Sequence, residues 1–156
     1  MGIELYKSTI DNYTLVREPT IIPKAKISCS TDLAKYILDN MYNEDIWECE
    51  SLGIITLNQA HNTKGYKILS KGGINCTIAD VRLMFKYVLD SLGTGFVMFH
   101  NHPSQNPTPS KADIELYKRC KQIADIFQIA IVDCIIVCPS DEGSLNYYSF
   151  ADKGIL

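Results

Sequence analysis

The chain has 156 residues, of which 46% are hydrophobic and 21% charged, with a formal net charge of -3. This describes one ordinary globular domain with room for a core, and it lacks the basic footprint that nucleic-acid binding usually needs. No apolar run is long enough to cross a bilayer and the first residues lack a secretory signal. The cysteines at 29, 49, 76, 120, 134 and 138 form no Cys-x-x-Cys pair, so reduced thiols in a cytoplasmic protein are the expectation.

In chain order, Tyr13 to Arg17 reads as a short strand, followed by an irregular connection at Pro19 and Pro23. Ser30 or Thr31 can cap a helix that carries Leu33, Ile37 and Met41 at helical spacing. Glu48 to Leu57 reads as a strand, and Tyr66 to Leu69 as its hairpin partner across a polar turn. His61, in that turn with Asn62 and Gly65, reads as a solvated histidine. Gly72-Gly73 breaks the chain. Thr77 then caps a helix with Ile78, Val81, Phe85, Val88 and Leu92 on one face, and Asp80 stands where a capping-box acid would sit. Gly95 to Phe99 reads as a buried strand. A helix from Ser110 turns Ile114, Tyr117, Ala124 and Phe127 toward a core. Ile129 to Cys138 is an apolar strand, in which Cys134 and Cys138, like Cys120 before them, are small core residues. Asn146 to Phe150 closes the series. Helices alternating with strands indicate an α/β layered domain.

The most informative stretch lies between the Phe96 strand and the helix at Ser110: His100-Asn101-His102-Pro103-Ser104-Gln105-Asn106-Pro107-Thr108-Pro109-Ser110-Lys111-Ala112-Asp113. Residues two apart on a strand project to the same side, so His100 and His102 can aim at one point. The loop returns Asp113, in the first helical turn, toward them. Two imidazoles and a carboxylate make a three-ligand set for a catalytic zinc, with a fourth position left to water. Pro103, Pro107 and Pro109 fix φ and stiffen the loop. A purely structural reading stands beside this one: Ser110 is the natural N-cap and Asp113 the N3 acid of a capping box. The helix N-terminus also favours an ionised carboxylate, and whether the Ser110 hydroxyl caps, reacts or does both stays open.

The pattern His-x-His-Pro, a spacer, then Ser-x-x-Asp resembles the JAMM metal motif, and its wording resembles the RadC family of JAB/MPN-domain proteins. The resemblance covers residues 28 to 156, with residues 1 to 27 as an N-terminal strand and connection. It includes Leu57-Asn58, Gly72-Gly73, Asp133 with Ile135-Ile136-Val137, and the closing Tyr147-Tyr148-Ser149-Phe150. It implies a three-layer-like, cytidine-deaminase-like fold with a central mixed sheet flanked by helices. It also implies that His100, His102 and Asp113 are the zinc ligands and that Ser110 steadies the zinc-bound water or the developing oxyanion. The family's upstream glutamate, the general acid/base, matches Glu50 best, with Glu48 as the competitor on the same strand face.

A zinc metallopeptidase or isopeptidase acting on a peptide or isopeptide substrate is therefore the leading expectation. The alternatives are a DNA-associated, repair-related or nuclease-like RadC protein and a non-catalytic MPN interaction module. The triplet His100-Asn101-His102 superficially resembles HNH nucleases, but those spread their ligands over a ββα unit. The chain offers no room ahead of the domain for the helix-hairpin-helix segment of longer relatives, which weakens the DNA reading. Two departures from the family pattern stand out. Cys134 occupies the place of a histidine, either as a core thiol or as a soft group near the metal, and Gln105 replaces a glycine.

Overall fold

Three strands carry apolar residues on both faces, the signature of strands covered from two sides. They are β3 (Glu50–Leu57), β5 (Gly95–Asn101) and β6 (Ala130–Cys138), and they occupy the middle of a five-stranded sheet. The computed structural model describes residues 23–72, 79–141 and 143–156, with the backbone of two short strands, β1 (Glu4–Lys7) and β2 (Thr14–Arg17). Those two pair antiparallel in a separate sheet. Thr77, Ile78, Gly73 and Pro19, each given a role above, lie outside the described residues, as does Tyr13.

The main sheet has the order β4-β3-β5-β6-β7, with β4 spanning Thr63–Gly72 and β7 spanning Asn146–Ser149. The β5–β6 pair is parallel and the other pairs are antiparallel, so the sheet is mixed as expected. Helix α3 (Lys111–Phe127) connects the two parallel strands, which a tight hairpin cannot do.

Alternation along the strands divides the core in two. One face presents Ile55, Leu57, Val97, Phe99, Ile135 and Val137 to Leu33, Ala34 and Ile37 of helix α1 (Ser30–Met41). The other presents Leu52, Ile54, Phe96, Met98, Cys134 and Ile136 to helix α2 (Val81–Asp90) and to α3. The result is three layers, helix on sheet on helix. Each fully buried Leu, Ile or Phe side chain contributes roughly 1.5–3 kcal/mol.

Several local expectations need correction. Glu48 is not in the strand: it follows a 3₁₀ turn at Glu44–Trp47, has helical backbone angles and is exposed, so it does not share a strand face with Glu50. Helix α1 begins at Ser30 itself and takes Cys29 as its cap residue. Asp80 is the cap of α2, accepting from the amides of Arg82 and Leu83, because its carboxylate reaches both orphan donors. Leu92 is 82% exposed with φ of 52°, because the Ser91 hydroxyl binds the Val88 carbonyl and ends the helix before it. Phe127 is half exposed at the end of α3, its ring against Phe85. The β3–β4 hairpin is longer than expected, since Thr63 and Gly65 already pair with β3. His61 is exposed, as its polar turn implied.

Candidate metal centre

The centre forms where β5 leaves the core. His100 is the penultimate residue of β5 and is buried, while His102 is half-buried just past the strand end. The His102 amide donates to the Val137 carbonyl at 3.1 Å, which carries extended geometry one step beyond the ladder. Both imidazoles therefore project from the sheet face that packs against α3, and their Nε2 atoms meet at 3.1 Å.

The loop beyond is closed by polar contacts. The Gln105 amide donates to the His102 carbonyl at 3.2 Å, and the Asn146 side chain donates to the Gln105 carbonyl at 2.8 Å. Gln105 has φ of 63°, the left-handed region that glycine adopts without strain. Glutamine thus adopts a glycine-like backbone here.

Ser110 and Asp113 form a reciprocal capping box: the Asp113 amide donates to Ser110 Oγ at 3.2 Å, and the Ser110 amide donates to Asp113 Oδ2 at 2.7 Å. The structural reading of these two residues is therefore correct. It does not exclude the chemical one, since the cap occupies a lone pair of the hydroxyl and leaves its proton to another acceptor. The box also turns the Asp113 carboxylate to the histidines, with Oδ1 3.3 Å from His100 Nε2 and Oδ2 3.7 Å from His102 Nε2.

One ligand atom from each of His100, His102 and Asp113 lies within 4.8 Å of the others, the one such cluster among the described residues. The tautomer of His102 follows from its surroundings. Its Nδ1 lies 2.8 Å from the Asn106 carbonyl oxygen, which only accepts, so Nδ1 carries the hydrogen. In the neutral ring this leaves the Nε2 lone pair for a metal ion, held by an outer hydrogen bond as metal-binding histidines usually are. The Asp113 carboxylate raises the pKa of His102, with burial opposing it and the Asn106 carbonyl and Glu50 adding to the rise. Burial works against ionisation of Asp113, but the hydrogen bonds from His100 and His102 outweigh it and hold the carboxyl well below its usual range.

Glu50 opens β3 and is half-buried. Leu52 pairs with His100 in the antiparallel ladder, so two residues back on β3 and two forward from His100 bring Glu50 alongside His102, on the same face. Its charge is felt at His102, yet it stands outside the three-residue cluster. Cys134 is 3% exposed within the core facing α2 and α3, and burial pushes its thiol pKa well up. It behaves as a core residue and is no member of the cluster. The motif reading treated Asn101 as a spacer, yet it is fully buried. The signal was there: a polar side chain at the end of an apolar strand must find partners.

A family model described as RadC-like JAB domain matches residues 27–155. The UPF0758 protein of Flavobacterium johnsoniae is 35% identical over 142 residues, covering 89% of this chain and 57% of that protein. The UPF0758 protein of Thermotoga maritima is 33% identical over 142 residues, covering 91% of this chain and 60% of its own. That of Porphyromonas gingivalis is 34% identical over 119 residues, covering 76% and 48%. The chain spans about half the length of the curated relatives it matches. The match along nearly the whole domain agrees with the mixed three-layer sheet and the His-His-Asp cluster at its rim, and the chain belongs to the RadC-like JAB domain family.

Proposed function

We propose that this domain is a zinc-dependent hydrolase of peptide or isopeptide bonds. The observation that carries the reading is the convergence of His100, His102 and Asp113 within 4.8 Å, with Glu50 beside the cluster and not in it. The donor set fits zinc: two imidazole nitrogens, one with its tautomer fixed by Asn106, and one ionised carboxylate.

His100 Nε2, His102 Nε2 and the Asp113 carboxylate would hold the ion. When bound, zinc supplies a Lewis acid and lowers the pKa of a coordinated water to about 7. Glu50 accepts the proton of the attacking water and returns it to the leaving amine. The exposed Ser110 hydroxyl, capped from the other side, donates to the oxygen on which charge develops. The proline-rich loop between β5 and α3 holds Ser110 and Asp113 in register with the two histidines.

The test pairs metal content with turnover. Glu50→Gln should retain about one zinc per chain and lose hydrolysis by a factor of about 10²–10⁴. Undiminished turnover in that variant excludes Glu50 as the base. Wild-type protein that takes up no zinc excludes the hydrolase.

A further inference from the structure

We propose that Asn101 is a positioning residue that holds Glu50 in place beside His102, an assignment that rests on the hydrolase reading above. Asn101 sits between the two histidines, and its side chain points to the opposite sheet face, away from the metal cluster. Its carboxamide is fully buried and uses its whole hydrogen-bonding capacity. Nδ2 donates to the carbonyls of Ile46 at 2.9 Å and Cys49 at 3.0 Å. Oδ1 accepts from the Ser51 amide at 2.8 Å and from the Ser51 hydroxyl at 3.0 Å.

Three of those four partners belong to Cys49 and Ser51, the residues on either side of Glu50. The β3–β5 ladder ends at the Leu52–His100 pair. Beyond it the Asn101 side chain does what a neighbouring strand would do, accepting from one backbone amide and donating to a backbone carbonyl. Glu50 is thereby gripped through both flanking residues by a group covalently placed between the two histidine ligands. The fourth bond ties in the 3₁₀ turn through Ile46, and the Tyr42 hydroxyl braces Ser51 Oγ at 2.9 Å. A displacement of about 1 Å at a reacting group can cost about a hundredfold in rate, so fixing the Glu50 backbone to the histidine strand has a direct catalytic consequence.

The experiment compares Asn101→Ala in the wild-type and Glu50→Gln backgrounds. The readouts are zinc affinity by chelator competition, amide hydrogen exchange at Ser51, and turnover of a quenched-fluorescence peptide that the wild type cleaves. Zinc affinity should stay within about threefold, Ser51 exchange should quicken about tenfold or more, and kcat should fall about 10- to 100-fold with little change in KM. In the Glu50→Gln background the substitution should cost no further turnover. A loss that multiplies in that background, zinc affinity that falls in step with turnover, or unchanged Ser51 exchange each overturns the assignment. If Asn101→Ala does not fold, Ser51→Ala removes one of the three flanking bonds. It must then show the same dependence on Glu50 at a few-fold scale, and an independent loss overturns the assignment. If the wild type cleaves no peptide, the hydrolase reading fails by itself. Slowed or accelerated exchange at Ser51, with zinc affinity retained, then still decides the structural half: acceleration supports the grip of Asn101 on the Glu50 segment and its absence overturns it.

Discussion

The Nε2 atoms of His100 and His102 stand 3.1 Å apart, with the Asp113 carboxylate against both. Two nitrogens at this distance share one hydrogen, since neither two lone pairs nor two N–H groups can face each other so closely. A metal ion held by these three groups would take the place of that hydrogen. Zinc should therefore stabilise the folded chain, by about 2.7 kcal/mol at a free concentration a hundred times Kd. Thermal unfolding with and without zinc checks this. His102→Ala should abolish the zinc-dependent shift, whereas His61→Ala, in its exposed turn, should leave it intact.

Ser110 has two jobs to separate. Ser110→Ala removes the cap and should cost about 1 kcal/mol of stability. As an oxyanion donor its loss should also lower kcat by about 10²–10³. Ser110→Thr keeps a hydroxyl in the same place and should restore most of both. Denaturation and steady-state kinetics on the same preparations measure the two effects, and a Thr variant that recovers stability with no turnover would count against the donor role.

Gln105 holds φ of 63° in the loop that follows His102. Left-handed backbone costs a non-glycine residue roughly 1–2 kcal/mol, and part of this gain is offset by the greater freedom of glycine in the unfolded chain. Gln105→Gly should stabilise the protein by about 0.5–1 kcal/mol. In urea the midpoint should rise with no change in m.

Gly53 faces Phe99 across the β3–β5 ladder. A Cβ there would collide with the Phe99 ring and lie 2.9 Å from the Lys67 carbonyl oxygen. Gly53→Ala should destabilise the domain by about 1–3 kcal/mol through overpacking. Because Gly53 lies three residues from Glu50, calorimetry should be read beside zinc affinity, which should hold if the damage stays in the core.

Asp133 is 3% exposed and accepts from the Cys134 amide at 2.7 Å, the Ala151 amide at 3.0 Å and the Ser149 hydroxyl at 2.6 Å. Burial nevertheless pushes its pKa above the ordinary 3.8. The folded state then keeps a proton that the unfolded state has already lost. Its contribution to stability is fullest below pH 3.8 and declines as pH rises through the folded pKa. Asp133→Asn retains an oxygen for the two amides and cannot titrate. Subtracting its stability curve from that of the wild type should isolate a fall with rising pH that begins above pH 3.8; a difference that rises instead would reverse the sign assigned to this group.

The strands and helices were legible where the local pattern and burial coincide, as in Val97–Phe99 and in the face of Val81, Phe85 and Val88. Leu92 and Phe127 misled because periodicity carries no information about where a helix stops; the Ser91 hydroxyl and the chain reversal at Gln128 decide that. Glu48 misled for a related reason. Nothing local separates the end of a 3₁₀ turn from the start of a strand, and only pairing with β4, Glu50 opposite Gly72, begins the strand at Glu50.

The chemistry on offer is written along the chain: two histidines in alternation, an acid in the first turn of the next helix, and prolines that stiffen the path between them. These are short-range relationships, written in spacing and in the covalent limits of proline. Tertiary structure alone decided the rest. It set which nitrogen of His102 is open, through a carbonyl four residues on, and which glutamate stands beside it, through the β3–β5 register. It also joined Asn101 to Cys49 and Ser51 across some fifty residues of chain. Hydrogen-bond partners brought together by sheet pairing leave no periodic trace in either segment, so they become visible only when the strands are side by side.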